Sequence, residues 1–231
     1  MKSFNHLETP QLEELKSETT ENGRHYFTPT GEKYPSVTTV TGHEKKKFFK
    51  EWRKNNPEES KRVLRRGNKF HSIIEDYLQN KEVSYKDVDA NSWDLFEQAI
   101  PLLDNIDNIV AQEVPLWSNT LMLAGRVDCL AEYNGVLSVV DFKGSTRKKK
   151  KSNITEYFMQ STAYAIMWQE RTGQVIEQIV ILISNEDGEI QEFVANPLDY
   201  CDPLRQCINK YWVERKGNHD NSTVQILSNG S

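Results

Sequence analysis

Apolar positions fall into two rhythms along this chain, and the change between them marks out the elements. Phe70, Ile73, Ile74, Tyr77 and Leu78 recur three and four residues apart, which predicts a helix over 66–78 with one buried face. Trp93, Phe96, Ile100 and Leu103 repeat that spacing, with Pro101 a candidate kink. Residues 109–117, 121–133 and 136–143 read instead as strands, and Asn134-Gly135 joins the last two as a hairpin turn. A longer amphipathic helix runs from Ile154 to Thr172 and ends at Gly173. Strands near 176–184 and 189–195 follow, then a helix begun by Asp202 and Pro203 that reaches about Arg215.

Upstream, Arg24 to Tyr34 reads as a β-hairpin turning at Pro29-Thr30-Gly31, after a polar, acidic stretch at 1–22 that reads as a flexible leader or short helix. Ser36, Thr38 and Thr39 either cap a helix or bond a phosphate. Residues 44–56 form a basic helix whose Phe48, Phe49 and Trp52 are assigned to the core rather than to an exposed stacking surface. The order gives one domain over 23–215 and a polar tail at 216–231.

Chemistry concentrates in residues 125–144. Alternate side chains of a strand share a face, so Asp141 and Lys143 project together while Val140 and Phe142 point into the core. The hairpin returns Asp128 toward Asp141, and two adjacent carboxylates stay ionised where a hard divalent cation lies between them. Mg²⁺ or Mn²⁺ is the expected occupant, with Lys143 positioned to activate a water or to neutralise charge on a phosphate. The pattern fits phosphodiester hydrolysis, although a bare D-x-K also fits solvated strand ends. His71 and Glu75 share one helix face, and Gln160 and Tyr164 share another; taken alone, both pairs read as ordinary polar stripes.

Taken in order, RGxxxH (Arg66 to His71), E-x-P (Glu113, Pro115), G-x-x-D (Gly125, Asp128), D-x-K (Asp141 to Lys143) and Q-x-x-x-Y (Gln160, Tyr164) resemble the RecB-like branch of the PD-(D/E)XK nucleases. Within that branch the chain is most similar to the mitochondrial genome maintenance exonuclease family and its phage and bacterial relatives. The likeness includes Tyr34 to Val40 and runs from about residue 24 to residue 185. It implies an α/β fold: a restriction-endonuclease-like core with a central mixed β-sheet flanked by helices, plus a helical elaboration ahead of the core strands. It also implies that His71, Asp128, Asp141 and the backbone carbonyl of Phe142 bind the metal, and that Lys143 acts catalytically beside the two aspartates. Glu113 would orient a neighbour or a water, while Gln160 and Tyr164 would support the site and the phosphate backbone. The implied activity is degradation of single-stranded DNA from an end, in replication or repair, alongside replication or recombination proteins. A flap endonuclease and a silent nucleic-acid-binding protein on the same scaffold stay open, as does the oligomeric state.

With 231 residues and 37% hydrophobic content, the chain can build one substantial core. A net charge of −5 opposes a partner as acidic as DNA, so binding must rest on local clusters. These are Lys45 to Lys47; Lys61, Arg62, Arg65 and Arg66; and Arg147 to Lys151, just past the D-x-K strand. Arg66, Arg147, Lys148 and Ser36 are accordingly the candidate DNA contacts. Three scattered cysteines, Cys129, Cys201 and Cys207, cannot complete the four-thiolate set of the iron–sulfur cluster that many relatives carry, so no cluster is expected. Their spacing gives no disulfide framework. No apolar run is long enough to span a bilayer, and the start of the chain carries glutamates rather than an arginine-rich transit pattern. The expected location is a bacterial or phage-infected cytoplasm.

Overall fold

In the computed structural model, which describes residues 2–216, the strands form two separate sheets. Lys16–Thr20 (β1), Gly23–Phe27 (β2) and Lys33–Pro35 (β3) make a small antiparallel sheet in that order. The expected hairpin is present, and it gains its third strand from the stretch read as a flexible leader. That reading is corrected: besides β1, Phe4 and Leu15 are buried, and the Leu7 N–H donates to the Ile109 carbonyl at 2.8 Å. Isolated apolar residues in a polar stretch have no period to read, and the strand exists only through its pairing with β2. The polar tail expected at 216–231 lies, apart from Lys216, outside the described residues.

Four helices precede the core strands. Val37–Thr41 (α1) is a single turn capped by Ser36, whose Oγ accepts the Thr39 N–H at 3.0 Å. Lys46–Asn55 (α2) leads into Pro57–Leu78 (α3), and Ala90–Leu103 (α4) follows. α3 starts well before the apolar period at 66–78, because Pro57 opens it and Glu58 and Glu59 lie in its first turn, where negative charge favours the helix dipole. α2 reverses its expectation. None of its residues is buried, and Phe48 and Phe49 are 64% and 44% exposed.

The core sheet takes the order Ile106–Ser118 (β4), Leu123–Tyr133 (β5), Val136–Ser145 (β6), Gln178–Asn185 (β7) and Ile190–Ala195 (β8). All neighbours are antiparallel except β6 and β7, which run parallel and therefore need the long crossover that Thr155–Thr172 (α5) supplies. Asn134 and Gly135 both hold positive φ, 53° and 79°, as a tight twisted hairpin between β5 and β6 requires. α1, α5 and Cys201–Lys216 (α6) cover one face of the sheet, against Val139, Ile179, Ile181 and Ile183. α3 and α4 cover the other, against Val140, Phe142, Val180 and Leu182. Burial on both faces is why β7 reads as a continuous apolar run rather than an alternating one. This is a mixed sheet flanked by helices, an α/β architecture with α2 to α4 as the helical addition. No helix among the described residues is long and apolar enough to cross a membrane. Cys129 is buried in β5, and Cys201 and Cys207 lie on α6.

Candidate active site

β5 and β6 pair with Cys129 opposite Val140, so Asp128 and Asp141 are the next residues outward on the two strands. Strand alternation puts Val140 and Phe142 in the core under α3 and α4, and turns Asp141 and Lys143 toward α5. Lys143 Nζ donates to Asp141 Oδ1 at 2.6 Å and lies 5.3 Å from the ring centre of Tyr157 on α5. Asp141 is buried, and its Oδ2 has no hydrogen-bond partner among the described residues. Asp128 is fixed from below: its Oδ2 accepts the Phe142 N–H at 3.0 Å and stands 3.6 Å from His71 Nδ1.

His71 from α3, Glu113 from β4 and Asp128 from β5 each offer a ligand atom within 4.8 Å of the other two. Glu113 enters this cluster through a backbone irregularity. Its φ is +49°, in the left-handed region, between Gln112, which pairs with Cys129, and Val114, which pairs with Val127. The Arg126 guanidinium donates to the Glu113 carbonyl and reaches Glu14 at 2.9 Å with its other nitrogen, holding that kink from the outside.

Burial pushes the Glu113 carboxyl up to about 7, and repulsion from Asp128 and Glu75 adds to it. Burial likewise raises Asp141, which Lys143 opposes. His71 is lowered by burial, so its imidazole is neutral and available as a ligand at neutral pH. For Lys143, burial works against the charge, but Asp141 and Asp128 outweigh it and keep the ammonium protonated. Crowded carboxylates held above their usual range, an unpartnered buried oxygen and a neutral imidazole form a donor set suited to a hard divalent cation.

The structure thus brings together His71, Glu113, Asp128, Asp141 and Lys143. Glu113, read as an orienting group, lies in the compact donor cluster, whereas Asp141 is held by Lys143 beside it. Phe142 engages Asp128 through its N–H. Four candidate DNA contacts are buried among the described residues. Arg66 is buried, and its guanidinium pairs with Glu186, which Arg62 also binds at 2.6 Å. Ser36 is buried, with its hydroxyl committed to the α1 cap. Gln160 and Tyr164 are buried too, and Tyr164 packs against Gly125. Arg147 and Lys148 are exposed on the loop after β6, Lys148 pairing with Glu189 at 2.8 Å.

The Gly125–Tyr164 contact explains two motif positions at once. A Cβ at Gly125 would fall 2.6 Å from the Tyr164 hydroxyl and 2.9 Å from its ring, so only glycine lets β5 approach α5 here, three residues before Asp128. Gly125→Ala is expected to destabilise the fold by about 1–3 kcal/mol through overpacking, and Tyr164→Phe in the same chain to recover part of that loss. Denaturant unfolding of the two variants checks this; equal stability of wild type and Gly125→Ala would refute the contact.

A family model described as the PD-(D/E)XK nuclease superfamily matches residues 103–219. The chain belongs to the PD-(D/E)XK nuclease superfamily. The D-x-K pattern of Asp141-Phe142-Lys143, and Asp128 before it, fall within the matched residues. Among curated proteins, mitochondrial genome maintenance exonuclease 1 of Homo sapiens is 32% identical over 116 residues, 49% of this chain and 29% of that protein. Its Mus musculus counterpart is 26% identical over 155 residues, 66% of this chain and 44% of the relative. The chain therefore spans less than half the length of either relative. A solved structure from Eubacterium rectale aligns over 69% of each chain at 15% identity and a TM-score of 0.46, too distant to bear on function.

Tyr157, Arg126 and Glu186 belong to the site or its supports and carry no expectation from the sequence, while Glu75 carries only its place on the His71 face. Tyr157 had a signal, since it precedes Gln160 by one helical turn of α5. Glu186 had none, because it meets Arg66 across 120 residues of chain.

Proposed function

We propose that this PD-(D/E)XK protein is a metal-dependent deoxyribonuclease that removes nucleotides from an end of single-stranded DNA, using Mg²⁺ or Mn²⁺. The observation that carries the reading is the convergence of His71, Glu113 and Asp128 beside the Asp141–Lys143 pair. The superfamily supports hydrolysis of nucleic acid, and the relatives named as exonucleases of genome maintenance support DNA as substrate and an end as the point of attack.

His71, Glu113 and Asp128 would hold the cation, with Asp141 Oδ2 available to complete the set. Bound there, a divalent cation supplies Lewis acidity toward the scissile phosphate. The Phe142 N–H keeps Asp128 in position, so no side chain has to reorganise when the phosphate arrives. Lys143, protonated and anchored on Asp141, presents a positive charge where the attacked phosphate gathers negative charge. Water oxygen bonds to phosphorus and gives up a proton to solvent as the phosphorus–oxygen bond to the leaving nucleotide breaks, and the leaving oxygen takes up a proton from solvent.

Digestion of end-labelled linear single strands, linear duplex and circular single strands with Mg²⁺, Mn²⁺ or EDTA tests the proposal. Mononucleotides or short products from linear single strands, no cleavage in EDTA and intact circles are expected. Cleaved circles would replace the exonuclease reading with an endonuclease, and cleavage in EDTA would remove the metal.

A further inference from the structure

Beside Lys143 lies a cleft that the chemistry above does not use. Lys45, Phe49 of α2, the loop residues Arg147 to Lys150 and Tyr157 of α5 border a volume of about 410 Å³. Tyr157 belongs to both regions: it lines the cleft, and its ring lies 5.3 Å from Lys143 Nζ. Tyr157 thus stands between the cleft and the end of β6 that carries Lys143.

Two properties of its walls define what fits there. Phe48 and Phe49 are large rings left on the surface, set edge to face with centres 5.4 Å apart, on a helix that buries no residue. They contribute little to the core and remain available to cover a ligand. Opposite them, the cations are in excess. Glu156 answers Lys45 and Glu189 answers Lys148, while Arg147, Lys149 and Lys150 have no carboxylate partner among the described residues. In a chain of net charge −5 this is a local concentration of positive charge against exposed aromatic faces. A duplex has the anionic backbone but keeps its bases stacked inside. Single-stranded nucleic acid offers both the backbone and free base faces.

We propose that Phe49, with Phe48 beside it, is a base-stacking platform that seats single-stranded DNA in this cleft and passes its backbone along Arg147 to Lys150 and Tyr157 toward Lys143. The proposal rests on the nuclease reading above and adds the element that selects unpaired substrate. Stacking accepts any base, so the platform gives strand selectivity without sequence preference.

Fluorescence anisotropy in EDTA, with a labelled single-stranded oligonucleotide and a duplex of the same sequence, tests it. Phe49→Ala is expected to weaken single-strand binding roughly 5- to 150-fold and to leave duplex binding unchanged. Phe49→Trp retains affinity, and Phe49→Leu, apolar but without a π face, behaves like Phe49→Ala. Unchanged single-strand affinity in both Phe49→Ala and the Phe48→Ala Phe49→Ala double variant overturns the proposal. Equal losses on single strand and duplex, or a wild type that binds no single strand, overturn it as well. A wild type that binds single strands through Phe49 yet cleaves nothing with Mg²⁺ or Mn²⁺ would instead refute the nuclease reading and leave the platform standing. Thermal melts confirm that the variants fold.

Discussion

Lys143→Ala is expected to slow cleavage of single-stranded DNA roughly 100- to 1000-fold, the usual loss when a charge that meets the transition state is removed. The ammonium is positioned before substrate arrives: it is bonded to Asp141 at 2.6 Å and kept protonated by the two aspartates despite burial. Its charge is therefore available without the protein paying for reorganisation at the moment of reaction. Lys143→Arg keeps the charge but replaces a compact ammonium with a planar fork, so a partial rate is expected. Single-turnover cleavage of end-labelled strands at saturating metal, run beside oligonucleotide binding, separates the chemical step from affinity. The rate should fall while binding through the neighbouring cleft persists. Equal rates in wild type and Lys143→Ala would take the lysine out of the chemistry.

Divalent metal is expected to stabilise the folded protein strongly, because the donor cluster carries uncompensated repulsion without it. At a metal concentration of 100 times Kd the gain is about 2.7 kcal/mol, or a Tm rise of roughly 5–11 °C for a chain of this size. Asp128→Asn, which removes a donor charge from the centre of the cluster, should abolish most of the rise. The gain also has a pH signature. The Glu113 carboxyl is raised from 4.5 to about 7 in the fold, so in metal-free protein its contribution to stability is full below the lower value and is lost as pH climbs through the upper one. Metal binding needs the ionised carboxylates, so the Tm rise should grow with pH across that window and less steeply in Glu113→Gln, where Asp141, also raised by burial, keeps the remaining dependence. A metal-induced rise independent of pH between these limits would contradict the assignment of Glu113.

Much of this was legible because it is local. The strand order, the Asn134-Gly135 hairpin and the D-x-K alternation all follow from side-chain periods and turn chemistry within a few residues, and they suffice to place Asp141 beside Lys143. What depends on contacts distant in sequence is not legible there. Arg66 looked like a phosphate ligand because sequence shows its charge and not its partner, Glu186. Gln160 and Tyr164 read from their spacing as a polar stripe, and a stripe does not reveal that β5 presses Gly125 against the phenol. Phe48 and Phe49 were placed in the core on hydrophobicity alone, which indicates that rings prefer cover but not what provides it. Glu113 was undervalued because its left-handed backbone, which turns the side chain into the cluster, leaves no trace in residue type.

The Arg62–Arg66–Glu186 clamp has a further consequence. It ties the middle of α3 to the turn between β7 and β8, and His71 lies five residues further along the same rigid helix, about 7.5 Å on. That turn therefore acts as a distance-setting bracket for the imidazole. Lengthening or shortening it is expected to re-aim the His71 ring without altering any residue of the proposed metal site.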